Sequence, residues 1–324
     1  FLRKINYLRI SVTDRCDLRC VYCMKEKMNF LPKNEILTLE EIDRLCFNFI
    51  QLGVEKIRLT GGEPLVRKNI IELIKNLNEK KQNTNLKEIT LTTNGTLLKN
   101  FAKKLKENGI NRINVSLDTI NETKYNKITR FGELSKVILG IEESLKYGIK
   151  IKLNVVAIKD FNEEEFEEII RWADKLKMDV SFIEIMPMEE TEIKRHLQFL
   201  SLKKVYDKLD LKYNFYKTDK NTGGPSVYYK SKKISINVGF ITPITNNFCE
   251  NCNRVRLSST GKLFMCLGQN EYVDFKEILR NDYSNEYIKD KIKYALNIKP
   301  KKHDFIIDKE TKPYMTRHMN VTGG

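Results

Sequence analysis

Six of the seven cysteines in this 324-residue chain fall into two triads, Cys16-x3-Cys20-x2-Cys23 and Cys249-x2-Cys252-x13-Cys266. Thiolates at such spacings bind zinc or iron-sulfur clusters, and each triad is one ligand short of the four that a closed structural site uses. A three-ligand site leaves one coordination position open to a reactant. The alternative pairs Cys20 and Cys23 with Cys249 and Cys252 in a single four-cysteine zinc site, leaving Cys16 and Cys266 idle. The three histidines, His196, His303 and His318, stand at no close spacing to either triad. Disulfides are not expected, because nothing resembles a secretion signal and a chain of this length needs no covalent staples. Cys46, beside Leu45 and Phe49 in a helical stretch, reads as a buried apolar thiol.

The elements that must position these cysteines alternate. Tyr7 to Val12, Lys56 to Thr60, Glu88 to Thr92, Arg112 to Leu117, Lys150 to Val156 and Val180 to Ile185 read as strands. Between them, Thr38 to Leu52 opens on a Thr38/Glu41 capping box. Asn100 to Asn108 and Leu134 to Tyr147 end at Gly109 and Gly148, and Asn162 to Leu176 carries an apolar stripe. About six β/α repeats over 1–209 predict an α/β fold whose parallel strands either form an open doubly wound sheet or close into a barrel, expected here as an incomplete (β/α)6 TIM-like barrel. A small α+β C-terminal domain over 210–324 follows, with antiparallel pieces at Val227 to Tyr229 and Lys233 to Val238 and the second triad. Ligands gather at the carboxyl ends of parallel strands. There the chain places the Cys16 triad, Gly61-Gly62-Glu63-Pro64, Thr92-Thr93-Asn94-Gly95 and Ser116-Leu117-Asp118. Four polar loops on one rim mark a ligand site.

Composition narrows the class. With 41% hydrophobic residues and no apolar run near the roughly 20 residues a membrane span needs, a soluble cytoplasmic globular protein is expected. The formal net charge of +15 favours an anionic partner. Lysines such as Lys103, Lys104 and Lys106 belong to solvated helix faces, and specific nucleic-acid binding is not expected.

The first triad, with Tyr22 before its last cysteine and followed by Gly61-Gly62-Glu63-Pro64, resembles the radical S-adenosylmethionine (SAM) superfamily. The resemblance implies a 4Fe-4S cluster on Cys16, Cys20 and Cys23, with SAM on the open iron as the source of a 5′-deoxyadenosyl radical. It also implies SAM contacts at Tyr22, Gly61, Gly62, Glu63, Ser116 and Met186. The stretch from Phe248-Cys249 through Cys252-Asn253-Arg254-Val255-Arg256 to Gly261-Lys262 and Cys266, with Gly323-Gly324, is similar to the GTP 3′,8-cyclase family of molybdenum-cofactor biosynthesis. So is Arg9 to Arg15. This similarity spans the chain. It implies a second 4Fe-4S cluster on Cys249, Cys252 and Cys266, whose open iron takes the guanine of GTP. Arg9, Arg58, Thr92, Lys152, Arg254, Val255 and Arg256 would hold the substrate, since the chain has no phosphate-binding Gly-x4-Gly-Lys-Ser/Thr loop. Arg254, Arg256, Gly323 and Gly324 would take part in catalysis, with Arg317 or His318 contributing.

The implied product is 3′,8-cyclo-7,8-dihydro-GTP, passed to the next enzyme of the pterin pathway. An external electron donor is required, and a homodimer is compatible with the chain. Two further readings stand beside this one. The first is a radical SAM enzyme that modifies a peptide or RNA and carries an auxiliary cluster. The second is a zinc-stapled basic protein that binds nucleic acid without catalysis.

Overall fold

The computed structural model describes residues 3–188, 195–246, 249–303, 315 and 317–323. Its first part alternates β1 (Tyr7–Ser11), α1 (Leu39–Gln51), β2 (Lys56–Thr60), α2 (Ile70–Lys80), β3 (Glu88–Thr93), α3 (Leu98–Glu107), β4 (Arg112–Ser116), α4 (Glu122–Thr129), α5 (Leu134–Lys146), β5 (Lys150–Ala157), α6 (Phe166–Lys175) and β6 (Asp179–Glu184). Then come α7 (Arg195–Gln198), α8 (Leu202–Tyr213), β7 (Tyr216–Lys217), β8 (Val227–Ser231), β9 (Ile234–Ile241), β10 (Arg254–Leu257), β11 (Lys262–Phe264), β12 (Tyr272–Asp274), α9 (Lys276–Arg280), α10 (Asn285–Asn297) and α11 (Met319–Thr322).

Local sequence explains the repeating unit. At the start of α1, Thr38 Oγ1 accepts from the Glu41 amide at 3.1 Å while Glu41 accepts from the Thr38 amide at 2.7 Å. Such a capping box stabilises a helix start by about 1 kcal/mol. The helix then buries Ile42, Leu45, Cys46 and Phe49 against the sheet, so Cys46 is a core thiol. In β2, Ile57 and Leu59 join the apolar core, while Arg58 between them points to the other side of the sheet.

All twelve strands form one sheet in the order β12-β11-β10-β1-β2-β3-β4-β5-β6-β9-β8-β7. The run β1 to β6 is parallel, as an incomplete TIM-like barrel requires. The C-terminal part departs from the expected separate sheet. β10 pairs parallel with β1 and β9 pairs parallel with β6, so both edges of the six-stranded core are extended by one strand. The antiparallel hairpins β11-β12 and β7-β8 lie outside these. An unpaired edge exposes a row of amides and carbonyls, and residues 227–257 cover both edges. The boundary expected at 209 falls inside α8.

Candidate active site

Strand register brings cations together. Across β10, β1 and β2, Arg256, Arg9 and Arg58 are direct partners, and so are Arg254, Tyr7 and Lys56 two residues earlier. Neighbouring strands lie about 4.8 Å apart, and like charges opposite one another are destabilising. A row of three arginines therefore needs an anion. Arg9, Arg58, Lys152, Arg254 and Arg256 line one cavity. Among the described residues, no carboxylate lines it. Burial holds the Arg9 guanidinium well below its usual range, with Arg256 adding to the effect; burial and Arg254 bring Arg256 to about 10. These cations are held at a cost that a bound polyanion would offset.

Each has a defined scaffold. Arg58 donates from Nε to the Tyr7 hydroxyl and from Nη1 to Thr92 Oγ1 at 2.9 Å. Lys152 donates to the Tyr228 hydroxyl at 3.3 Å, and Arg256 Nη1 donates to the Gly323 carbonyl at 2.6 Å. Val255, between the two arginines, packs into the apolar core, so only its backbone is available to a ligand.

Cys249, Cys252 and Cys266 open into the same cavity. Burial and the other two thiols push Cys249 up. At Cys252, burial is outweighed by Arg254 and Lys299, which bring the thiol to about 7. Thiolate, the ligating form, is thus favoured there near neutral pH.

The first triad lies on the loop after β1. Its backbone is tied down from α4: the amides of Arg19 and Val21 donate to the carbonyls of Thr129 and Ile128 at 3.1 and 2.9 Å. Burial raises Cys16 and Cys20. Glu63 follows as the next cause for Cys16, and Cys23 for Cys20. Three mutually repelling, half-buried thiols are costly as thiolates alone, and a cationic iron core neutralises them. Among the described residues the four-cysteine zinc site is not formed. Among the described residues, no three His, Cys, Asp or Glu side chains are grouped tightly enough for a single metal ion.

Beside this triad, the amides of Gly62 and Glu63 donate to the carbonyls of Thr13 and Arg15, both at 2.8 Å. The loop therefore has carbonyl oxygens to offer a ligand, which suits an ammonium group. Glu63 is fully buried and accepts from the Leu65 and Asn94 amides and the Thr93 hydroxyl at 2.7 to 3.0 Å, fixing the loop shape. Tyr22 donates to Asp118 at 2.6 Å. Ser116 ends β4 at the same rim, and Met186, beyond β6, lines the cavity. At the tail, α11 returns to β1: Asn320 donates to the Asp14 carbonyl at 3.0 Å, and Gly323 presses against Thr60. Gly324 and Phe248 lie outside the described residues.

Several residues enter that the sequence did not single out. Asn114 and Asn154 line the cavity wall, and the side-chain oxygen Oδ1 of each has no hydrogen-bond partner among the described residues. Their signal was polarity at an inward position of a strand. Tyr7 faces Lys56 and Arg58 at 5.1 and 5.9 Å from its ring centre. Burial raises its phenol, but Arg58, Arg9, Lys56 and Arg254 outweigh that and bring it to about 7. Above that pH Tyr7 is an anion among the cations and competes with any bound anion. Affinity for a nucleotide triphosphate is therefore expected to fall as pH rises from 7 to 9, by up to about tenfold per unit, and Tyr7→Phe to flatten the profile. Equilibrium binding over that range measures it.

A family model described as the radical SAM superfamily matches residues 10–173, and one described as Molybdenum Cofactor Synthesis C matches residues 178–305. The chain is 53% identical over 325 aligned residues to the GTP 3′,8-cyclase of Brucella ovis, covering 100% of this chain and 94% of that protein. The same figures hold for GTP 3′,8-cyclase of Brucella abortus. Among solved structures, the fold is similar to Streptococcus suis SuiB bound to S-adenosylmethionine, with TM-score 0.62 and 16% identity over 87% of this chain and 66% of that one. It is also similar to anSMEcpe with bound AdoMet, at TM-score 0.51 and 22% identity over 63% of this chain and 58% of that one.

Proposed function

The chain belongs to the GTP 3′,8-cyclase family of radical SAM enzymes, and from that premise we propose how its residues divide the reaction. The protein is a GTP 3′,8-cyclase acting in molybdenum-cofactor biosynthesis, with GTP as substrate. Cys16, Cys20 and Cys23 hold the 4Fe-4S cluster that the superfamily carries. With SAM bound, such a cluster would supply a 5′-deoxyadenosyl radical, the hydrogen-abstracting chemistry that ring closure from the ribose C3′ of GTP to guanine C8 requires.

The remaining assignments concern this chain's own side chains. The carbonyls of Gly61 and Gly62 receive the SAM ammonium, Glu63 keeps that loop in shape, and Tyr22, Ser116 and Met186 border the rest of the cofactor. Arg9, Arg58, Lys152, Arg254 and Arg256 take the triphosphate, with Thr92 and the Val255 backbone beside them. Cys249, Cys252 and Cys266 would hold a second 4Fe-4S cluster, which would supply a binding position for guanine. Gly323 brings the tail to the cavity, where Arg256 already holds it, and Gly324 is assigned to catalysis with it. An external reductant supplies electrons, and the product passes to the next enzyme of the pterin pathway. Among the described residues no helix is long and apolar enough to cross a membrane.

The observation that carries this reading is five buried or half-buried cations sharing with a cysteine triad one cavity that no carboxylate lines among the described residues. Anaerobic reconstitution is expected to give about eight irons per chain, and reductant plus SAM to yield 5′-deoxyadenosine together with cyclised nucleotide only when GTP is present. SAM cleavage with no GTP consumption, on supplying a peptide or RNA instead, would overturn it.

A further inference from the structure

Cations also face the second triad from behind, away from the cavity, and they reach its backbone. Arg3 donates to the Cys249 carbonyl at 2.7 Å and, through its other terminal nitrogen, to the carbonyls of Lys299 and Pro300. Arg317 stacks over Phe264 at 4.1 Å and donates to the carbonyls of Leu267 and Cys266 at 2.7 and 3.4 Å. Between them, Lys299 follows α10 and is 7% exposed. Its ammonium donates to the Arg254 carbonyl at 3.0 Å and to the Met265 carbonyl.

Those two carbonyls belong to different arms of the site. Arg254 is two residues past Cys252 at the start of β10, and Met265 immediately precedes Cys266 after β11. An ammonium has three donors. Two hold one arm each, to the Arg254 and Met265 carbonyls that flank Cys252 and Cys266. Burying a lysine costs several kcal/mol unless anions face it, and a methionine would fill the space without that cost. Three thiolates around an iron core supply such an anion.

We propose that Lys299 is a positioning residue for the second cluster: it clamps the Cys252 and Cys266 arms at the spacing the cluster needs and supplies the positive charge beside its sulfur. This rests on the reading that Cys249, Cys252 and Cys266 carry a cluster. Hydrogen bonds and positive charge at cluster sulfur stabilise the reduced, more negative state and raise the reduction potential. Sequence offered no sign of it, because both fixed partners are backbone carbonyls and the nearer lies 34 positions away.

The test uses the full chain carrying Lys299→Met or Lys299→Arg, reconstituted anaerobically beside the wild type, with iron counted and reduced clusters titrated by electron paramagnetic resonance. In Lys299→Met the second signal is expected to shift to a lower midpoint potential or vanish, with iron falling from about eight toward about four per chain. The first cluster's signal should persist and reports that the chain is folded. Lys299→Arg keeps the charge and should recover most of the iron. Should Lys299→Met retain the wild-type iron count, signal and midpoint potential, the clamp is refuted. A wild type that binds only about four irons instead removes the second cluster itself, an outcome visible before any variant is compared.

Discussion

Replacing Gly62 with alanine is expected to lower 5′-deoxyadenosine formation by about a hundredfold or more, because the added methyl has no space beside the first cysteine triad. A Cβ at this position would stand 2.2 Å from the Arg15 carbonyl oxygen, 2.6 Å from its carbon and 2.8 Å from the Asp14 oxygen. All three are backbone atoms, so no side-chain rotation relieves the clash. The loop that begins at Gly61 and the loop that carries Cys16 must separate, breaking the 2.8 Å bonds from Gly62 to Thr13 and from Glu63 to Arg15. Overpacking of this kind costs about 1–3 kcal/mol of stability. Misplacing a reacting group by about 1 Å costs about a hundredfold in rate. The second triad is untouched, and its iron should remain. Product assay with iron counting measures both effects. A Gly62→Ala enzyme cleaving SAM within threefold of wild type would show that the two loops are not rigidly coupled.

The same contact shows what the sequence could convey. Gly61-Gly62-Glu63-Pro64 was legible as a loop at a strand end because glycine and proline punctuate chains locally, while Glu63 was marked only by the family resemblance. The six core strands were legible for a similar reason: in β2 the apolar Ile57 and Leu59 flank an inward Arg58 at period two. Helix α2 was passed over although Ile70, Leu73, Ile74 and Leu77 give it a buried stripe. It begins at Asn69 in a left-handed conformation with no side-chain cap, so the usual start signal is missing. Pairing of β10 with β1 was invisible, since nearly 250 positions separate their strands and nothing in a strand names its neighbour. Yet that pairing creates the row Arg256, Arg9 and Arg58. The residues were legible one at a time; their adjacency was not. Arg3 and Lys299 were beyond reach altogether, because a donor aimed at a remote carbonyl leaves no motif, and Arg317, named through the resemblance, was not tied to the second triad.

Arg256 is where the substrate cavity and the chain's tail meet, and Arg256→Ala is expected to damage both. Its guanidinium lines the cavity and donates to the Gly323 carbonyl at 2.6 Å. Gly323 holds φ at 71°, and a Cβ there would lie 2.2 Å from Thr60 Cγ2, so the tail fits its groove only as glycine. Losing a charge-assisted contact to a phosphate inside a desolvated cavity costs about 2–5 kcal/mol, which weakens GTP binding by at least about thirtyfold. Release of the tail adds a second loss that appears in turnover and not in affinity. Removing residues 323 and 324 from the wild type separates the two: that enzyme should bind GTP nearly as well while turning over slowly. Arg256→Lys should recover part of the affinity, since lysine supplies the charge without the planar fork that reaches phosphate and Gly323 together. Equilibrium GTP binding and single-turnover cyclisation, measured on all three variants, check this division. If Arg256→Ala binds GTP as the wild type does, the triphosphate lies elsewhere in the cavity and the row of arginines has another use.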